Sequence, residues 1–139
     1  MFAVADWNKG MIDEFRSKGG KGVGPFGDKL LLLTTRGAKS GKAQTSPVVY
    51  HRDGDRYVVA ASKSGAPTNP AWYHNLVKHR EADVEVGTEK FKVRATPIAK
   101  GPERDRLYNA HGDTYAPFRD YPTKTKRVIP VVVLERISK

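Results

Sequence analysis

The chain has 139 residues, with 25 Lys and Arg against 15 Asp and Glu and no cysteine. This length fits one domain with a real core, and a formal net charge of +10 favours polyanionic partners such as a nucleic acid, an acidic lipid or a multiply charged cofactor. The lack of cysteine excludes disulfides, thiolate catalysis and cysteine-based metal sites, so any redox chemistry must come from a bound cofactor.

The first predicted element is an amphipathic helix over residues 6–18, with Asp6 as its N-cap. Its apolar residues recur at helical spacing: Trp7, Met11, Ile12 and Phe15. Such a helix packs on its own domain or on the second subunit of a homodimer, and peripheral contact with a membrane is the alternative. The sequence shows neither a signal peptide nor a membrane span, which predicts a cytoplasmic protein that is either free or membrane-associated through this helix.

Residues 19–27 are predicted to form a glycine-rich linker. Their G-x-G-x-x-G pattern follows a helix and precedes a strand, whereas dinucleotide binding requires the opposite order. The next segment, Leu30–Leu33, is a continuous apolar run that predicts a strand buried on both faces. The turn after it, residues 37–42, holds two glycines, two lysines and a serine, and its backbone N–H groups are available to an anion.

Residues 44–51 predict a second strand, in which Pro47 indicates an edge or a bulge where a ligand can approach the backbone. Asp53-Gly54 predicts a tight hairpin. The returning strand, residues 56–62, ends in small side chains that leave room for a flat ligand.

A second basic loop, residues 62–68, leads to Asn69-Pro70, which predicts an N-cap followed by proline in the first helical position. The positive end of that helix faces whatever the loop binds, so two features that favour anions converge. Downstream, a hairpin is predicted over residues 82–95 and a short helix over residues 102–111.

Residues 115–122 form an aromatic, proline-rich segment before a final strand at residues 129–134. The aromatic segment is interpreted as a lid, with packing against the first helix as the alternative. About six strands with few helices predict a mainly β, partly open barrel in a single domain spanning residues 1–139. The four histidines, His51, His74, His79 and His111, lack the spacing of metal ligands and are interpreted as surface residues or as residues behind a site, so no metal site is predicted.

Three ordered blocks resemble the deazaflavin-dependent nitroreductase and quinone reductase family, which is found in actinobacteria and related organisms. The blocks are LLLTTRGAKSG at residues 31–41, AASKSGA at residues 60–66 and NPAWYHNL at residues 69–76. The aromatic segment and RVIPVVV at residues 127–133 are also similar to the family. The resemblance implies a split β-barrel like that of FMN-binding oxidoreductases, with flanking helices and a core over residues 28–139.

The resemblance also implies coenzyme F-420, which combines a flat deazaflavin ring with a phosphate and an oligoglutamate tail. FMN is less favoured. The implied reaction transfers a hydride from the reduced deazaflavin to a small-molecule acceptor, either a quinone, an activated alkene or a nitro compound. A non-catalytic F-420 carrier and an FMN-dependent reductase are alternatives. A nucleic-acid-binding barrel is disfavoured, because the aromatic residues cluster in a proline-rich segment and not on a strand face.

By resemblance, the coenzyme contacts fall on Lys39, Ser40, Gln44, Thr45, Ser46, Pro47, Val48, Val49, Ala60, Ala61, Ser62, Lys63, Ala71, Trp72, Tyr73, His74, Asn75 and Phe118. Ser62 or Tyr50 is expected near the reacting ring, and Tyr115 and Tyr121 are expected to contact the substrate or donate a proton. Two residues depart from the family pattern: Ala38 stands where many relatives have a basic residue, and Phe118 replaces a frequent tyrosine.

Overall fold

The computed structural model describes residues 4–137, without the side chains of residues 4–7, 25 and 64. The helices are α1 (Val4–Ser17), α2 (Ala71–Lys78) and α3 (Pro102–Thr114). The strands are β1 (Leu30–Arg36), β2 (Ala43–Asp53), β3 (Arg56–Ala60), β4 (Glu81–Val86), β5 (Glu89–Ile98) and β6 (Val131–Arg136). The predicted order of helices and strands is confirmed, with shifts of a few residues at the boundaries.

Within this part of the chain the strands close into an antiparallel barrel in the order β1-β2-β3-β6-β5-β4. The sequence predicted a partly open barrel; the strands close, but one segment of β2 has a strand partner on one side only. Residues 43–49 of β2 pair with β1 alone, because β3 pairs with β2 only from Tyr50 onward. Pro47 lies in this singly paired segment, which fits its lack of an N–H donor and confirms the predicted edge.

The apolar run of β1 is buried on both faces, as predicted. Leu31 and Leu33 pack with apolar residues of the other strands and with Trp72 and Leu76 of α2, which closes one end of the barrel. Leu30 and Leu32 belong to a second cluster on the outer face, where α1 and α3 pack through Met11, Phe15, Leu107 and Tyr108. Alternation along one strand therefore builds both cores.

Both predicted N-caps were wrong. The first helix begins at Val4, so Asp6 lies in its first turn and not at its cap. The second helix begins at Ala71 with Pro70 as its N-cap and no capping side chain. The Asn69 side chain is used elsewhere, because its Oδ1 accepts a 2.7 Å hydrogen bond from Nη1 of Arg127.

The glycine-rich linker is anchored to the barrel. Val23 is fully buried, its N–H donates to the carbonyl of Gly27, and a short 3-10 helix spans Gly24–Phe26. The Glu14 carboxylate of α1 accepts a 2.6 Å hydrogen bond from the Gly24 N–H. These contacts fix the orientation of α1 relative to the first strand of the barrel. None of the helices between residues 4 and 137 is long and apolar enough to cross a membrane.

Candidate active site

A cavity of about 1070 Å³ lies against the singly paired segment of β2. Its walls come from α1, from β2, from the loop after β3, from the start of α2 and from the aromatic segment. Fourteen of the residues expected at a coenzyme or substrate site line it: Gln44, Thr45, Ser46, Pro47, Val48, Val49, Ala60, Ser62, Lys63, Ala71, Trp72, Tyr115, Phe118 and Tyr121. The local opening of the barrel and the predicted residues therefore coincide.

Small side chains leave this cavity wide where β3 ends. Ala60, Ser62 and Ala71 line it together, and the Ser62 side chain is buried at 7% exposure. Trp72 closes the wall behind them and is itself buried in the barrel core. A planar group can lie along this wall without displacing a large side chain.

Lys63 and the start of α2 make one end of the cavity positive, whereas the cavity-lining cations of α1, Lys9 and Arg16, are paired with Asp13 and Glu85. The Lys63 side chain is exposed, and its Nζ lies 3.4 Å from Thr68 Oγ1 of the same loop. Pro70 is the N-cap of α2, and its side chain cannot accept a hydrogen bond. The first N–H groups of the helix, at Ala71 and Trp72, are therefore not capped by the side chain of Pro70. Together these groups favour an anion at this end of the cavity.

Another part of the cavity lining is aromatic. The ring of Phe118 lies 5.8 Å from that of Tyr115 and 5.2 Å from that of Tyr121, both in edge-to-face arrangements. Phe118 is buried, and its carbonyl accepts a 2.6 Å hydrogen bond from the hydroxyl of Tyr108. The aromatic segment forms two 3-10 helices, Ala116–Arg119 and Tyr121–Thr123, that pack on the outer core. It therefore lines the cavity and belongs to the same apolar cluster as Met11 and Phe15 of α1, and its role as a lid stays a prediction.

Two of the four histidines form a buried pair, so of the two interpretations, surface residues or residues behind a site, the first is wrong for this pair. The Nδ1 atoms of His51 and His111 lie 2.8 Å apart, so one ring donates and the other accepts. Burial, followed by repulsion from His51, lowers the pKa of His111 to about 3, and burial also lowers the pKa of His51. Both rings are thus neutral at pH 7, and His111 packs 4.2 Å from the Phe118 ring.

Seven of the expected site residues do not line the cavity: Lys39, Ser40, Tyr50, Ala61, Tyr73, His74 and Asn75. Lys39 and Ser40 lie on the exposed turn between β1 and β2. Tyr50 points to the other side of β2 from Val49 and packs on Tyr57 at 5.7 Å, where burial raises its pKa. Val48 is on the same side of the strand as Tyr50 and does line the cavity, so Tyr50 is excluded because it lies beyond the singly paired segment, where β2 begins to pair with β3.

Residues that the sequence analysis did not assign to a site also line the cavity: Asn8, Lys9, Ile12, Asp13, Arg16, Phe26, Leu30 and Pro70. Five of them lie on one side of α1, and their spacing of three to four residues was the available signal. Arg16 fixes this side of the helix, because its guanidinium donates to both carboxylate oxygens of Glu85 on β4, at 3.2 and 2.8 Å. The first helix is therefore part of the cavity wall.

A smaller cavity of about 470 Å³ lies at the other end of β1. Its charged residues are of both signs, including Arg36, Arg80, Glu81, Asp83 and Lys92. It contains none of the residues expected at a coenzyme site. The larger cavity is therefore the candidate active site.

Comparison with known proteins points to one family. Residues 7–136 match the model of the family described as F420H(2)-dependent quinone reductase. The chain is 42% identical over 108 residues to F420H(2)-dependent quinone reductase Rv1261c of Mycobacterium tuberculosis, covering 76% of this chain and 72% of that protein.

Two solved structures are similar in both fold and sequence. The F420-H2 dependent reductase FDR-A is 34% identical, with a TM-score of 0.70, and the match covers 77% of this chain and 94% of that one. A structure described as a domain-swapped dimer is 32% identical, with a TM-score of 0.72, covering 96% of this chain and all of the other.

Proposed function

Because the chain belongs to the F420H(2)-dependent quinone reductase family, we propose that its cavity binds reduced coenzyme F-420 beside a quinone. The protein is an oxidoreductase that uses the reduced coenzyme, and hydride transfer to a quinone fits the family. Activated alkenes and nitro compounds are proposed as further acceptors, because they accept a hydride in the same way. The observation that carries the proposal is one cavity whose lining combines small side chains, a positive end and the three rings of the aromatic segment.

The chain's own residues fit the coenzyme. Its flat ring needs a wall of small side chains, which Ala60, Ser62 and Ala71 provide. Its phosphate and carboxylates need positive partners, which Lys63 and the first N–H groups of α2 provide. The cavity volume of about 1070 Å³ is large for a ligand site, which leaves room for an acceptor beside the ring.

In this arrangement the residues from Gln44 to Val49 hold the edge of the ring through the backbone of the singly paired β2 segment. Lys63 holds an anionic part of the coenzyme, and Lys39 and Ser40 on the exposed turn serve a more distant part of its tail. When bound in its reduced form, the coenzyme supplies the hydride. The protein orients the two reactants and excludes water between them.

Reduction of a quinone to a hydroquinone takes up one hydride and one proton. We assign delivery of that proton, or a hydrogen bond to the quinone oxygen, to Tyr115 and Tyr121 on the aromatic wall. A tyrosine hydroxyl is protonated at pH 7 and can donate, after which it recovers its proton from solvent. Ser62 also lines the cavity and is proposed to orient the ring.

The sequence offered two further partners for α1, a membrane and a second subunit of a homodimer. Met11 and Phe15 are buried in the outer core, which supports packing of the helix on its own chain over contact with a membrane. A homodimer is proposed by analogy with the similar structure described as a domain-swapped dimer. Light scattering of the purified protein measures the oligomeric state, and vesicle flotation measures membrane contact.

The function is tested by titrating the purified protein with oxidised F-420 and, in parallel, with FMN, following the fluorescence of each ligand at low and moderate salt. We expect saturable F-420 binding that survives moderate salt and weakens in Lys63→Ala. Turnover of reduced F-420 with a water-soluble quinone then separates an enzyme from a carrier. Tighter binding of FMN than of F-420, or F-420 binding without turnover, contradicts the proposal.

A further inference from the structure

Arg127, in the segment before β6, makes a set of hydrogen bonds to the loop at the positive end of the cavity. Its Nε donates to the carbonyl of Ala66 at 2.9 Å, and its Nη2 donates to the carbonyls of Ala61 and Ser62 at 3.0 and 2.9 Å. Its Nη1 donates to Asn69 Oδ1 at 2.7 Å. One planar guanidinium thus spans the loop from its first residue to the start of α2.

The acceptors of Arg127 are all uncharged. Between residues 4 and 137, no carboxylate lies within ion-pair distance of its guanidinium. Arg104, which is similarly enclosed and donates to the carbonyl of Ile129, does have a carboxylate partner in Asp105. Burial lowers the pKa of Arg127 without removing its charge at neutral pH, so a positive charge lies behind the cavity wall without a counterion.

The loop that Arg127 holds needs such support. Lys63 has a φ of +48°, a left-handed conformation that a residue with a side chain adopts at a cost. On the other side, Gly65 packs so closely on the chain before Arg127 that a Cβ there would lie 2.9 Å from Cβ of Lys124. The loop is therefore fixed between Arg127 and the end of the aromatic segment.

We propose that Arg127 is the positioning residue of the coenzyme site: it fixes the loop of residues 61–69 and adds an uncompensated positive charge behind Ser62 and Lys63. The inference rests on the proposed function, because the anion that benefits from this charge is the coenzyme. Arg127 does not line the cavity, so it acts through the loop and through its field. The bound anion completes the charge balance of this wall.

The test of positioning uses Arg127→Lys, which keeps the charge but cannot reach four acceptors from one nitrogen. Hydrogen exchange of the coenzyme-free protein should be faster within residues 61–69. The Kd for oxidised F-420 and the KM for reduced F-420 should each rise at least about tenfold, with the KM for the quinone changed by less than about twofold. Asn69→Ala, which removes one acceptor, should shift the same quantities by a smaller factor.

The test of charge compares Arg127→Gln with Arg127→Lys. The glutamine variant has neither the charge nor the full set of donors, so its Kd should exceed that of the lysine variant at low salt. The difference should shrink at about 1 M salt, where the screening length is about 3 Å. Equal Kd values at low salt contradict the electrostatic part of the inference.

Arg104→Lys is the matched control, since it alters an enclosed arginine that bonds to the same segment without touching the loop. It should leave loop exchange unchanged and the Kd within about twofold of the wild-type value. Unchanged loop exchange in Arg127→Lys overturns the inference about Arg127 but leaves the proposed function standing. Equal changes in Kd in Arg127→Lys and Arg104→Lys have the same meaning. Failure of the wild-type protein to bind F-420 contradicts the proposed function and the coenzyme role of Arg127, while the exchange data still report whether Arg127 fixes the loop.

Discussion

Asn75, on α2, holds Gln44 at the edge of the cavity: its Nδ2 donates to Gln44 Oε1 at 3.2 Å. The same nitrogen donates to Thr35 Oγ1 at 3.0 Å, and Asn75 Oδ1 accepts the N–H of Ala38 at 2.9 Å. Lys78 Nζ also donates to the carbonyl of Ala38 at 2.9 Å. The basic turn is thereby fixed to α2, and since no acceptor between residues 4 and 137 takes the Gln44 NH₂ group, it is available to a ligand.

This relationship predicts the effect of Asn75→Ala. The substitution leaves the N–H of Ala38 and the buried hydroxyl of Thr35 without their partner, so the free energy of unfolding should fall by about 1–3 kcal/mol. Urea denaturation measures it, and F-420 titration should show weaker binding because Gln44 is no longer held. His74→Ala, on the exposed side of the same helix, should change stability by less than about 0.5 kcal/mol. Equal losses in the two variants would contradict the role of Asn75.

The left-handed backbone at Lys63 separates the role of its charge from the role of its conformation. Lys63→Gly and Lys63→Ala both remove the ammonium group, but glycine adopts a φ of +48° without the strain that a Cβ imposes. The glycine variant should therefore be more stable than the alanine variant by up to about 1 kcal/mol. Both should bind F-420 with the same reduced affinity, and Lys63→Arg should retain most of it. Wild-type affinity in the glycine variant would exclude the charge from coenzyme binding.

The sequence was sufficient to predict most of the barrel, because the strands carry strong local signals. The run Leu30–Leu33 and the hairpin at Asp53-Gly54 each identify an element without knowledge of its partners. The helix caps were not predictable in this way. Asn69 has the chemistry of an N-cap, yet Arg127, far away in the sequence, takes its side-chain oxygen.

The candidate site was only partly predictable for the same reason. The turns and small residues of the middle of the chain point to a ligand directly, and most of them line the cavity. Tyr50 was assigned to the site, but it is the first residue of β2 that pairs with β3, and the sequence alone does not show where that pairing begins. The contribution of α1, through residues such as Ile12 and Arg16, depends on how the helix docks on the barrel.

The buried pair of His51 and His111 predicts a pH dependence of stability. Burial lowers the pKa of both rings in the folded protein, that of His111 to about 3, while an unfolded histidine titrates near 6.5. Asp53 opposes this shift at His51, and Arg106 adds to it. Below pH 6.5 the unfolded chain binds more protons than the folded one, so stability is full above this pH and falls as the pH drops towards the folded pKa.

The free energy of unfolding should accordingly decrease between about pH 6.5 and 5, by up to about 1.4 kcal/mol per pH unit for each buried histidine. Carboxylates titrate mainly below this window. Denaturant unfolding at several pH values measures the slope. It should be smaller in His111→Gln, despite a lower stability at neutral pH, and unchanged in His74→Gln. The same slope in all three proteins would show that the buried pair does not titrate on unfolding.

The aromatic wall predicts a separation of catalysis from coenzyme binding. Tyr115 lines the cavity, packs on Phe26 at 5.4 Å and has a ring held by Phe118, so Tyr115→Phe removes a hydroxyl while keeping the packing. If that hydroxyl donates to the acceptor, kcat/KM for the quinone should fall about tenfold to a hundredfold, with the Kd for F-420 within about twofold. Tyr73→Phe, whose ring lies outside the cavity, is the matched control and should leave both quantities unchanged. Steady-state kinetics with reduced F-420 and a water-soluble quinone measures the first quantity, and fluorescence titration measures the second. An unchanged kcat/KM in Tyr115→Phe would show that Tyr115 is not the proton donor. The donor would then be Tyr121 or solvent, because the neighbouring Phe26 and Phe118 have no hydroxyl group.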